Sequence, residues 1–192
     1  MFSKKNFLFV GLIVLTVVSS LAFAASEKSY TGEEVLEMSV QLVEKIEASG
    51  REIPKETEIA GDIISIEDSL YLMVKFMALY GESGEQGGVI PDQVDFLDIN
   101  VPKKFKGRRA VEGRLDWPNI YKAGKDATAL LEKSPVFFEK IKVLVTNGGS
   151  KTEETISADV LLYNFARALR WVYNNDFMPN YSMILDVVPP KF

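Results

Sequence analysis

Two triplets of side chains in this sequence have the types and spacing to do chemistry. Glu67, Tyr71 and Lys75 follow at intervals of four, and Asp159, Tyr163 and Arg167 repeat the order acid, phenol, base. Residues four apart share one face of a helix, so each triplet would form a polar stripe beside an aromatic ring. Such a stripe suits a sugar. The ring packs on a pyranose face, the acid accepts hydroxyls, and the cation pairs with a carboxylate of an acidic sugar or a Glu-rich peptide. It equally suits a structural seam, in which the Tyr packs in the core and each charge pairs with a neighbouring unit. Trp117, Trp171, Tyr173 and Tyr181 are further rings for stacking or for packing. Of these, Trp171 and Tyr181 join the six stripe residues as candidate ligand contacts.

Catalysis and metal binding find little support. The chain has no His and no Cys, which removes the usual triads and most metal sites. A carboxylate pair or a Ser-Lys dyad would remain, but no spacing singles one out. Glu33-Glu34 and Glu153-Glu154 lie near expected helix starts, where capping accounts for them. Asp92, Asp95 and Asp98 do not have the spacing of a calcium loop. The expectation is a binding or structural protein with no cofactor and no metal.

The stripes need helices to carry them. In Ile64 to Tyr80, Leu70, Met73, Val74 and Met77 mark one apolar face. Leu72, Phe76 and Leu79 mark a second, so this helix should be buried on most of its circumference. Ser65 with Asp68 resembles a capping box, and Gly81 marks the stop. Ile156 to Trp171 aligns with this helix without a gap: Ser157 falls on Ser65, Asp159 on Glu67, Leu162-Tyr163 on Leu70-Tyr71, and Arg167 on Lys75. Extended segments follow both, through Pro91, Leu97-Asp98, Val101-Pro102 and Phe105 in one case and Pro179, Leu185-Asp186, Val188-Pro189 and Phe192 in the other.

Two more helices complete the pattern, over Glu33 to Ala48 and Asn119 to Lys133, the latter interrupted by Gly124. The first is followed by Pro54 and a short hairpin with its turn at Ala60-Gly61-Asp62. The other is followed by Pro135 and an alternating, strand-like run from Phe137 to Val145, with a turn signal at Asn147-Gly148-Gly149. Gly81 to Gly88 reads as a loop. Lys103 to Arg114 carries six basic residues and reads as a linker or a patch for an anionic polymer. The predicted architecture is mainly α with short β-hairpins and extended segments. Tandem helix–Pro–extended repeats stack into two related halves, residues 30–105 and 116–192, joined by a basic linker at 106–115.

The N-terminus has the form of an export signal: Lys4 and Lys5, the 12-residue apolar run Phe7 to Val18, and Ala22-Phe23-Ala24. Cleavage before Ala25 is expected, with an uncleaved anchor as the alternative. No later stretch reaches the length of a membrane span, so no membrane contact is expected after cleavage. Loss of Lys4 and Lys5 takes the formal net charge from −5 to −7, which argues against nucleic acid as a partner. Without Cys, an exported chain must rely on its core, and 47% hydrophobic residues can supply one.

Glu34 to Tyr80 resembles the pseudomurein-binding repeat, a module of archaeal cell-wall proteins also found in other exported proteins. The matching residues are Val43-Glu44-Lys45-Ile46-Glu47, Gly50, Pro54, Ile59, Gly61, Ile64-Ser65 and Leu70-Tyr71-Leu72. Trp171 to Tyr181 is similar to the same family's helix end, Asn-rich break and Pro-Asn-Tyr, whereas the first copy has Pro54-Lys55-Glu56 at that place. The resemblance implies an exported, non-catalytic cell-envelope protein that binds a wall polysaccharide or glycopeptide of pseudomurein type. The alternative is a structural spacer built from the same repeat.

Overall fold

The computed structural model describes residues 28–81, 88–101 and 111–188. The expected leader (1–24), most of the Gly-rich loop after Gly81, the first half of the basic linker (106–110) and the final Pro189 to Phe192 lie outside them.

The chain runs β1 (Ser29–Tyr30), α1 (Gly32–Ala48), β2 (Glu56–Ile59), β3 (Asp62–Ser65), α2 (Ile66–Gly81) and β4 (Val94–Asp95). It then repeats the order as β5 (Arg114–Asp116), α3 (Trp117–Lys133), β6 (Lys140–Asn147), β7 (Ser150–Ser157), α4 (Ala158–Asn175) and β8 (Tyr181–Met183). In each half the first and last strands pair antiparallel, β1 with β4 and β5 with β8, and the middle two form a hairpin.

Of the described residues, 47% are helical and 26% extended, in three sheets. The fold is therefore mixed α/β, and the expectation of a mainly α protein is wrong. Two causes explain the error. Strands β1, β4, β5 and β8 have two or three residues each, too few to show a period. Strand β7 reads Ser-Lys-Thr-Glu-Glu-Thr-Ile-Ser, polar over most of its length. It is a strand because β6 pairs with it throughout, from Lys140 opposite Ser157 to Asn147 opposite Ser150. Its charges suit an edge position. This hairpin has eight residues per strand against four in the first half. The extra length brings Thr146 opposite Arg114, which joins β6 to β5 and makes one four-stranded sheet, β7-β6-β5-β8.

The expectation of stacked tandem units also needs correction. The halves interlock. Helix α1 packs on α4 and α2 packs on α3, so the main helix pairs cross between halves. The chain after α1 forms a parallel bridge with the end of the second half, Glu52 with Val188, and the chain after α3 forms one with the end of the first, Asn100 with Val136. Val188 N–H donates to the Arg51 carbonyl at 2.7 Å, and Asn100 N–H donates to the Pro135 carbonyl at 2.9 Å. Such reciprocity is the pattern of an isologous dimer written into one chain.

One core results, with Leu70, Met73, Val74 and Met77 of α2 and Leu161, Leu162, Phe165 and Leu169 of α4 all buried. Local chemistry sets the helix starts. Thr31 and Glu34 form a reciprocal capping box on α1, and Ser65 accepts from Asp68 N–H at 3.0 Å. Pro118 occupies the first turn of α3. Gly124, a poor helix residue, sits where α3 presses on α2: a Cβ there would lie 2.7 Å from Met77 Cβ.

Candidate functional site

The polar stripes are seams. Tyr71 Oη donates to Glu132 Oε1 at 3.4 Å, and Lys75 Nζ lies 2.6 Å from the same oxygen. In the other half Tyr163 Oη donates to Glu47 Oε1 at 3.3 Å. Glu47 ends α1 as Glu132 ends α3, so each stripe ties its helix to the partner helix of the other half. The second seam differs in its cation. Arg170 makes both hydrogen bonds to Glu47, at 2.9 Å each, while Arg167 donates to the Met183 carbonyl at 2.9 Å and lies over the Tyr163 ring. Both rings are buried, at 3% and 1% exposure, which leaves no face for a pyranose.

Glu67 and Asp159 are also buried, in the first turns of α2 and α4. Burial pushes the Glu67 carboxyl up, and the charges of Asp68 and Asp159 push it the same way. Asp68 accepts the Ile99 N–H at 2.8 Å, which fixes the first half's closing segment. Glu67 and Asp159 bring like charges of the two halves near each other, at a cost to the folded state when both are ionised.

The remaining candidates converge elsewhere. Trp171, Arg167 and Tyr181 line an open groove of about 850 Å³ beside α1, α4 and β8. Helix α4 ends at Asp176, in the left-handed region with φ 63°, while Asn175 Nδ2 donates to the Trp171 carbonyl at 2.9 Å. The chain then reverses through Pro179 into β8. Phe177 meets Trp171 edge to face, with centroids 6.3 Å apart. Tyr181 is backed by the Arg114 guanidinium, 4.7 Å from its centroid. These three rings stay 45%, 45% and 48% exposed, a grouping of large apolar surface that a soluble face does not need. Asn174, Asn175 and Asn180 supply amides along the same groove.

The platform under the rings is rigid. Ser182 Oγ donates to Asn164 Oδ1 at 2.8 Å in the core, and Ser182 pairs with Leu115 in the sheet. The first half lacks these rings. The matching places hold Leu79 for Trp171, Val89 for Phe177 and Gln93 for Tyr181. Of the other rings considered, Trp117 packs edge-on against Tyr80, and Tyr173 is exposed outside the groove lining. Among the described residues no group of acids could hold a metal ion.

Three important residues escaped the sequence reading. Glu47 and Glu132 could have been found by aligning the first and third helices as the second and fourth were aligned. Phe177 lies in the Asn-Asp-Phe-Met-Pro break, where no period marks a ring for stacking. No protein-family model matches the chain, and no curated protein matches it.

Proposed function

We propose that this is an exported, non-catalytic cell-envelope protein whose second half binds a wall glycan or glycopeptide of pseudomurein type. The observation that carries the reading is the groove at the end of α4, where Trp171, Phe177 and Tyr181 remain exposed on a fixed platform with amides beside them. Exposed rings backed by a cation or by a second ring can stack on pyranose faces, and carboxamides both donate to and accept from hydroxyl and acetamido groups. The leader-like N-terminus and the repeat resemblance support the same reading. The groove, not the paired stripes, is the binding face, so Glu67, Tyr71, Lys75, Asp159 and Tyr163 act as structural residues.

One observation favours a second reading, an envelope spacer: both stripe tyrosines, and Lys75 with them, are tied to acids of the other half. A pull-down separates the two. The mature protein should sediment with isolated, protein-free envelope from the source organism, and Trp171→Ala should abolish sedimentation with its melting temperature unchanged. A wild-type protein that stays in the supernatant supports the spacer. N-terminal sequencing of the exported form should start at or near Ala25, and a cytosolic protein starting at Met1 would refute export.

A further inference from the structure

Beside the aromatic groove lies a second cavity, of about 640 Å³, and its charge is unbalanced. Arg51, Arg167 and Arg170 line it together with Tyr163 and Leu185. Glu47 is the one acid among its lining residues. That carboxylate is committed to Arg170 by two hydrogen bonds. Among the described residues, no acid forms an ion pair with Arg51 or Arg167. Three guanidiniums against one carboxylate leave two positive charges in excess, within a chain whose own net charge is −5.

The fold does not require this excess. The related seam, between α2 and α3, is balanced, one Lys75 to one Glu132. There Ala78 stands for Arg170, and Pro135 stands for Arg51. The correspondence at Arg51 rests on the backbone: its carbonyl accepts from Val188 N–H as that of Pro135 accepts from Asn100 N–H. Arg51 also donates its own N–H to the Ile46 carbonyl at 2.7 Å, so its side chain leaves from a fixed point. Arg167 carries the cost of the crowding. Burial lowers its affinity for its proton, Arg170 and Arg51 act in the same direction, and Tyr163 and Glu47 offset this only in part. A partly desolvated cation among like charges is relieved by an anion in the same cavity. Planar guanidiniums match an oxyanion in particular, because they can donate two parallel N–H groups to it.

We propose that this cavity is an oxyanion subsite. It takes a carboxylate or a phosphodiester carried by the same envelope polymer whose sugar rings lie on Trp171 and Tyr181. The assignment rests on the glycan reading above, and the two cavities are neighbours, with Arg167 and Arg170 lining both.

Sedimentation of the mature protein tests this with isolated envelope in three forms: native, carbodiimide-amidated to neutralise carboxylates, and treated with hydrofluoric acid to remove phosphodiesters. The variant is Arg51→Gln, at an exposed side chain with no ion pair of its own, so its melting temperature should match the wild type. At low salt the variant should be retained about tenfold less well on native envelope, as expected for loss of one charge-assisted contact. One of the two treatments should weaken the wild type by a similar factor and leave the variant unchanged. Loss on amidation identifies a carboxylate, and loss on hydrofluoric acid treatment identifies a phosphodiester. Equal retention of variant and wild type on native envelope overturns the subsite. So does a wild type indifferent to both treatments, while its loss on Trp171→Ala would leave the glycan reading standing. A wild type not retained at all removes both.

Discussion

Truncating one core leucine in either half should unfold both halves together. Leu70 and Leu162 hold equivalent places in α2 and α4, and they are 0% and 1% exposed. Replacing a buried Leu by Ala loses the transfer energy of the deleted atoms and leaves a cavity, about 2–5 kcal/mol in total. These sites should fall near the middle of that range or above it. Each helix is covered on several sides, α2 by α3, α4 and both short strands of its hairpin, so little can collapse into the space. A loss of about 3 kcal/mol corresponds to a fall in melting temperature of roughly 6–12 °C for a domain of this size. The assay is urea denaturation followed by Trp fluorescence and far-UV CD, with amide hydrogen exchange read separately for α1 and α3. Because α1 packs on α4 and α3 on α2, each variant should lower protection in both helices by the same free energy. Two separate transitions, or loss of protection confined to the mutated half, would refute the interlocked core. A change below about 0.5 kcal/mol would refute the burial argument itself.

Three further outcomes follow from the same geometry. Glu47→Gln and Arg170→Gln should each cost about 1 kcal/mol, since the pair is bidentate but more than a quarter exposed on both sides. A double-mutant cycle in urea should return a coupling of similar size, and no coupling would mean the seam is only packing. The pH dependence should carry two opposite contributions. The hydrogen bonds from Arg170 hold the Glu47 carboxyl below its ordinary value, so its stabilisation is present above that value and is lost as pH falls through the lowered one. Burial holds the Glu67 carboxyl up, so its contribution is full at low pH and is lost as pH rises through the raised value. Glu67→Gln should therefore melt higher than wild type at neutral pH, and the gap should close below the ordinary Glu range. A gap that widens on acidification would refute the sign. Gly124→Ala should destabilise by about 1–3 kcal/mol despite its better helix propensity, because the new Cβ meets Met77 at 2.7 Å. A stabilised variant would show that α3 can move away at no cost.

Much of this molecule could be read from its residues, and the reasons are local. Helices α2 and α4 announce themselves by apolar spacing at Leu70, Met73, Val74 and Met77 and its echo at Leu162, Phe165, Ala166 and Leu169. Hairpin β2–β3 shows in Ala60-Gly61, and β6 in the alternation around Ile141, Val143 and Val145. These signals act over a few residues, where backbone propensity and burial period speak together. The candidate site was half legible. Their rings mark Trp171 and Tyr181 as candidates, but they mark Tyr71 and Tyr163 as well, and type alone does not tell a buried ring from an exposed one.

The internal repeat, the positions of the four helices and the inventory of side chains, which holds no His and no Cys, are legible in the sequence. Where those groups face is set by packing between distant segments. Crossing α1 onto α4 and α2 onto α3 turned the stripes inward onto Glu47 and Glu132, residues distant in sequence. The reversal after Asp176 turned Trp171, Phe177 and Tyr181 outward into one groove. The same interlock gathered Arg51 of the first half beside Arg167 and Arg170 of the second. Spacing along a helix fixes which side chains share a face, but whether that face meets solvent or another helix depends on long-range packing, which no local pattern contains.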